Sequence, residues 1–163
     1  MIRVRPMTAS DCPAVLRINA DGQPGVAPLD SKELARLLGL TGHHIIALGP
    51  EAQTFGYMLS FTSDSEYDGE ELGHFKVTLP TPFIYIDQVA VAAEARRSGV
   101  GAALYRAIEE HAREHEVGRL CCEVNTRPLN SASAAFHRKM GFHTRGALTT
   151  QDGRAVDLYL KEL

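Results

Sequence analysis

Two arginines and two glycines meet where an apolar run gives way to a helical pattern, in EARRSGVGAAL at residues 94–104. Glycine has no Cβ, so the backbone of Arg96-x-x-Gly99-x-Gly101 can bring its amides close to a ligand. The first turn of the following helix has amides without intrahelical acceptors, and the helix dipole adds positive potential there. Such a junction favours an anion, above all a phosphate, and the Arg96 and Arg97 guanidinium groups suit phosphate oxygens. In the preceding run, FIYIDQVAV, Asp87 is a carboxylate in a strand that otherwise reads as buried, so it is either functional or answered by a cation. Tyr85 shares its face in regular pleating and either lines a pocket or packs in the core. His111 and His115 stand four apart, a spacing that can hold zinc. HAREH is not H-E-x-x-H, however, and no third ligand is indicated, so a solvated helix face accounts for them better. His43, His44 and His74 have no metal spacing either.

The phosphate motif can be narrowed by elimination. Neither glycine is followed by Lys and Ser/Thr, which excludes the nucleotide-triphosphate loop G-x-x-x-x-G-K-[ST]. The dinucleotide fingerprint G-x-G-x-x-G needs a small residue where Leu104 stands, and it opens a βαβ unit instead of lying late in the chain.

The elements that must position these residues follow from periodicity. IRVR at 2–5 alternates as a strand; Thr8 or Ser10 caps a first helix ending near residue 20, and Asp30 with Glu33 opens a second. HHIIALG and AQTFGYMLSFT read as a hairpin about Gly49-Pro50. Residues 64–80, with Asp64, Glu66, Asp68, Glu70 and Glu71, read as a long acidic loop. FIYIDQVAV is an interior strand, and Val100, Ala103, Leu104, Ala107, Ile108 and Ala112 recur at helical spacing. RLCCEV is the next strand, SASAAFHRKM a short helix closed by Gly141, and FHTRGAL and AVDLYL the last two strands. The predicted order is βααβββαβαββ.

The Arg96–Gly101 loop, followed about thirty residues later by NSASAAFHRKMGF at 130–142, resembles the paired signatures of the GNAT acetyltransferases. The resemblance implies an α/β (α+β) fold: a mixed, mostly antiparallel sheet of about seven strands flanked by four helices and splayed between the fourth and fifth strands. Acetyl-CoA is then the co-substrate. Its pantetheine arm would meet main-chain groups of Val89, Ala90 and Val91, with a bulge near Val89 aiming an amide at the thioester oxygen. The amides of Arg97, Ser98, Gly99, Val100, Gly101 and Ala102 would surround the pyrophosphate, with Arg96 in support. Asn130 or Ser133 would cap the SASAAFHRKM helix and, with Phe136, lie against the cofactor.

Acetyl transfer to an amine needs a base for the ammonium ion and an acid for the departing thiolate. CEVN resembles the L-E-V strand of the ribosomal-protein alanine acetyltransferases, which implies Glu123 as base; a structural carboxylate is the other reading. Asp87 is the second base candidate. His137 follows Phe136 where most of the family has the tyrosine assigned as acid, so it either donates that proton or only packs near the cofactor.

With 163 residues the chain suits one domain, 1–163. The net charge of −3 argues against a nucleic-acid surface, and the acidic run at 64–71 either steers a cationic acceptor or is merely solvated. Cys12, Cys121 and Cys122 form an odd set that reads as apolar filler in a reducing compartment. No apolar run reaches the ~20 residues of a membrane span. The expectation is a cytoplasmic acetyltransferase without metal or membrane partner, taking acetyl-CoA and an amine acceptor, with a homodimer possible.

Overall fold

The computed structural model describes residues 1–127 and 129–163. Strand-period segments form β1 (Arg3–Pro6), β2 (Ile45–Leu48), β3 (Thr54–Thr62), β4 (Ile84–Val91), β5 (Arg119–Arg127), β6 (His143–Thr149) and β7 (Ala155–Glu162). Helix-period segments form α1 (Cys12–Gly22), α2 (Ser31–Leu38), α3 (Glu70–Thr78), α4 (Val100–Glu114) and α5 (Ser131–Lys139). The strands make one sheet in the order β1-β2-β3-β4-β5-β7-β6, antiparallel throughout except for the parallel pair β4–β5.

That parallel pair is where the sheet opens. β4 and β5 are in register only at Ile84–Leu120 and Tyr85–Cys121. Beyond Tyr85, β4 pairs with β3 alone, so alternate residues of 86–91 turn their amides and carbonyls toward the opening. The bulge in β4 falls at Asp87: Leu59 pairs with Gln88 and Ser60 with Ile86, which leaves Asp87 as the extra residue. It therefore sits two residues before the Val89 position expected from the sequence.

The acidic segment departs from its reading as a loop. Leu72 and Phe75 are buried one turn apart, and their burial folds 70–78 into α3, a fifth helix. Most of the acidic side chains are fastened locally. Asp64 accepts from Thr62, Asp68 pairs with Arg36, and Glu70 accepts the Gln151 amide.

α4 buries Val100, Leu104, Ile108 and Ala112 at i, i+4 spacing against β1–β4. Each large apolar side chain so buried contributes about 1.5–3 kcal/mol, enough to fix the helix start relative to the opening. Gly56 of β3 permits the close approach, because a Cβ there would stand 2.9 Å from both the Ala90 carbonyl and Val100 Cγ1. At the far end of α4, Lys161 of β7 reaches both Glu109 and the Met140 carbonyl, joining helix, sheet and the end of α5.

Candidate active site

The loop ahead of α4 has the geometry its glycines imply. Gly99 is the N-cap at φ 85°, a left-handed conformation in which a side chain is strained, and Arg97 also lies at φ 64°. Ala103 is the first residue of the helix whose amide returns to a loop carbonyl, that of Gly99. The amides of Val100, Gly101 and Ala102 precede it and have no intrahelical acceptor. Arg96, Arg97, Ser98 and Gly99 are exposed, and among the described residues neither guanidinium is paired with a carboxylate. Gly101 faces Phe136 of α5, whose ring atoms lie 3.4 Å from where a Cβ would stand. Asn130 caps α5 by accepting the Ser133 amide at 3.3 Å.

A cavity of about 480 Å³ follows the opening between β4 and β5. On one flank Tyr85 joins the two carboxylates singled out above. Its hydroxyl lies 2.9 and 2.8 Å from the two Glu123 oxygens and 3.2 Å from Asp87 Oδ1. Tyr67, stacked on Phe61, donates a second phenolic hydrogen bond to Asp87 at 3.1 Å. Removal from water pushes the Asp87 carboxyl up to about 6 against the opposing hydrogen bonds of Tyr67 and Tyr85. It also pushes Glu123 well above the carboxylate range, and Glu71 and Asp87 add repulsion. Linked through the Tyr85 hydroxyl, the two carboxyl groups titrate jointly. The compensating cation is Arg154, which pairs with Glu71 at 3.0 Å and Asp152 at 3.1 Å. The choice posed for Asp87, functional or answered by a cation, resolves into a network in which the nearest cation serves Glu71 first.

At the other flank, His137 is buried and makes three contacts, the longest from Nδ1 to the Ser133 hydroxyl at 3.3 Å. Its Nδ1 lies 2.7 Å from the Ser133 carbonyl, and its Nε2 lies 2.6 Å from the Tyr105 hydroxyl of α4. A carbonyl only accepts, so Nδ1 carries the ring hydrogen and Nε2 is the lone pair that receives the Tyr105 O–H. Burial lowers the His137 pKa and raises that of Tyr105 well above its ordinary value.

The roof of the cavity is the segment 23–29, held by a buried network. Asn19 Nδ2 donates to the Ala27 carbonyl at 2.9 Å, and its Oδ1 accepts the Leu29 amide at 3.0 Å. Gln88 donates to the same Ala27 carbonyl at 3.1 Å and accepts from Tyr57 at 2.8 Å.

The structure thus gathers Asp87, Glu123, Val89, Asn130, Ser133 and His137 around one cavity, whereas Ala90, Val91, Phe136 and the 96–102 loop do not line it; Phe136 lies instead against Gly101 at the start of α4. Sequence reasoning missed Tyr67, Tyr105 and Arg154, and read Glu71 only as one of the acidic run. The four come from separate segments, and no spacing links them. His111 and His115 do not lie on a purely solvated face, since His43 stacks on His111 with centroids 3.5 Å apart and planes at 6°. Stacked rings point their lone pairs side by side, and among the described residues no group of three or more metal-ligating side chains could hold an ion. No helix among them is long and apolar enough to cross a membrane.

The Acetyltransferase (GNAT) family model matches residues 37–142, from α2 through the Gly-Phe pair that opens β6. The chain belongs to this family and is an acyl-CoA-dependent N-acetyltransferase. It is similar to the ribosomal-protein-S18-alanine N-acetyltransferase of Escherichia coli, with 17% identity over 99% of this chain and 94% of that one and a TM-score of 0.75. The ribosomal-protein-alanine N-acetyltransferase of Brucella melitensis is 25% identical over 99% of both chains, with a TM-score of 0.73. A phosphinothricin acetyltransferase of Sinorhizobium meliloti, solved in complex with AcCoA, is 17% identical over 99% of this chain and 88% of that one, with a TM-score of 0.74. No curated protein matches the sequence.

Proposed function

We propose that the enzyme moves an acetyl group from acetyl-CoA to a primary amine of a small molecule or peptide by direct attack in a ternary complex. The observation that carries this reading is the cavity at the parted strands, lined by Asp87, Glu123 and His137, together with amides at the start of α4 that no intrahelical carbonyl takes. The helix end fits a pyrophosphate: the amides of Arg97, Ser98, Gly99, Val100, Gly101 and Ala102 would hold it, with the Arg96 and Arg97 guanidinium groups alongside. Val89, Ala90 and Val91 would offer main-chain partners to the pantetheine arm, and Asn130, Ser133 and Phe136 would border it. Bound acetyl-CoA supplies the activated acyl carbon and a thiolate leaving group.

The remaining chemistry belongs to the chain. Tyr85 donates to Glu123 and to Asp87, and Tyr67 donates to Asp87. Asp87 takes the proton of the incoming ammonium, and Glu123 is its partner in the pair. Proton supply to the thiolate falls to the His137 flank. Holding both reactants in one cavity provides much of the acceleration.

A free-thiol release assay over a panel of amines, run beside calorimetric titration of acetyl-CoA, tests this reading. Turnover with at least one amine is expected. Tight acetyl-CoA binding with silence across the panel would instead identify an acyl-CoA sensor.

A further inference from the structure

We infer that Tyr105, on α4, carries the proton delivered to the departing thiolate, and that His137 positions the Tyr105 hydroxyl by accepting its hydrogen bond. The inference rests on the acetyl-transfer reading above and deepens it.

The argument is a hydrogen count. His137 has two ring nitrogens, and the Ser133 carbonyl at 2.7 Å fixes the single hydrogen of the neutral ring on Nδ1. Nε2, 2.6 Å from Tyr105, therefore has a lone pair to offer and no proton to give. Protonating it would place a cation in a buried pocket, and it is this burial that lowers the His137 pKa. The mobile hydrogen at this spot belongs to the phenol.

The surroundings fix the phenol in place. Tyr105 is 2% exposed, and its ring meets Phe136, His137 and Phe142 edge to face, with centroids 5.3, 5.3 and 5.7 Å away. The ring cannot swing, but the O–H can rotate about its C–O bond. Tyr105 and His137 both line the cavity beside Ser133 and Asn130. The titratable groups facing the phenol are His137 from α5 and Cys122 and Glu123 from β5.

The step balances. The amine nitrogen forms the C–N bond as the C–S bond breaks with its electron pair on sulfur, and Tyr105 O–H passes its proton to that sulfur. The first proton of the ammonium ion passes through Asp87 to solvent before attack; the second leaves nitrogen as the C–N bond forms, is taken up by Asp87, and returns to the Tyr105 oxygen through solvent as products leave. No external oxidant, metal or covalent enzyme adduct is involved.

The pH dependence of kcat separates the two donors in the unmodified enzyme. A phenol whose pKa is raised by burial keeps its proton across the neutral range, so kcat holds level from about pH 7 to 9. If protonated imidazole is the donor, kcat falls as pH rises through the lowered pKa of His137, below the ordinary histidine value. That falling limb would overturn the inference. Tyr105→Phe should then lower kcat by roughly 10²–10⁴ with little change in acetyl-CoA affinity. His137→Gln, which keeps an acceptor on the side chain, should retain more activity than His137→Ala, and Tyr105→Phe/His137→Ala should be no slower than Tyr105→Phe alone. A Tyr105→Phe enzyme within about twofold of the parent would also overturn it. Should that variant fail to fold, 3-fluorotyrosine in place of tyrosine is expected to draw the high-pH limb of kcat downward, and an unmoved limb counts against Tyr105. Loss of acetyl-CoA binding by the parent enzyme would refute the acetyl-transfer reading itself, a result distinct from any of these.

Discussion

The Tyr85 hydroxyl stands 2.8 Å from one oxygen of Glu123 and 2.9 Å from the other, with Asp87 Oδ1 a further neighbour at 3.2 Å. One O–H group is shared among oxygens of two carboxyl groups. The three side chains therefore behave as a unit whose charge and proton are set jointly.

Asp87→Asn tests that unit by stability and rate together. The folded carboxyl lies at about 6 against an ordinary value of 3.8. Its favourable contribution is thus complete below the ordinary value and disappears as pH rises through about 6. Asp87→Asn removes the buried charge, so its gain in Tm over the parent should be larger at pH 8 than at pH 5. The same variant should lose the rise in kcat centred near pH 6, with activity down roughly 10²–10⁴. Equal Tm differences at both pH values would show that Asp87 is not ionising in the folded protein.

Gly101→Glu places a carboxylate among the free amides at the start of α4. A negative charge in the first turn agrees with the helix dipole, and the Phe136 ring at 3.4 Å is in near-ordinary contact, so the fold should persist. Calorimetry should show acetyl-CoA affinity reduced by more than about 100-fold with circular dichroism unchanged. Retained affinity would remove the phosphate from this loop.

The acidic segment makes a divided prediction. Asp68 is 78% exposed and paired with Arg36, whereas Glu71 is buried, lines the cavity and holds Arg154. Glu71→Gln should raise the KM for a cationic amine several-fold and release Arg154 toward the carboxyl pair, while Asp68→Asn leaves KM unchanged. If Asp68→Asn proves as harmful, and salt weakens both effects alike, long-range steering is operating.

Asn19→Ala strips partners from Ala27, Leu29, Tyr57 and Gln88 together. Ala27 and Tyr57 keep Gln88 as a partner, but the Leu29 amide is left unpaired, which should cost about 1–3 kcal/mol in chemical denaturation. The loosened 23–29 roof should raise the acceptor KM more than that of acetyl-CoA.

What could be read in advance was whatever the chain writes contiguously. The Arg96–Gly101 loop, the stripe along α4 and the Asn130 cap each occupy one short segment, so residue type and spacing were sufficient. Leu72 and Phe75 carry a helical signal too, but acidic neighbours and flanking prolines masked it, and 64–80 read as loop throughout. Tyr105 lies off the apolar stripe singled out along α4, and nothing local announces its partner 32 positions away. His137 was placed by its spacing to Gly141-Phe142, yet its protonation depends on the Ser133 carbonyl one turn earlier, a matter of backbone geometry. Arg154 belongs to the final hairpin turn and gains meaning only where that turn meets α3.

A seven-stranded sheet ordinarily has two raw borders. With β4 and β5 stitched at only two rungs, this one has four, and the inner two face each other across a wedge. Unsatisfied borders invite foreign chains to zip onto them. Because these flanks diverge, an intruding strand can align with one and must abandon the other, so the seam admits a slender guest while discouraging polymerisation.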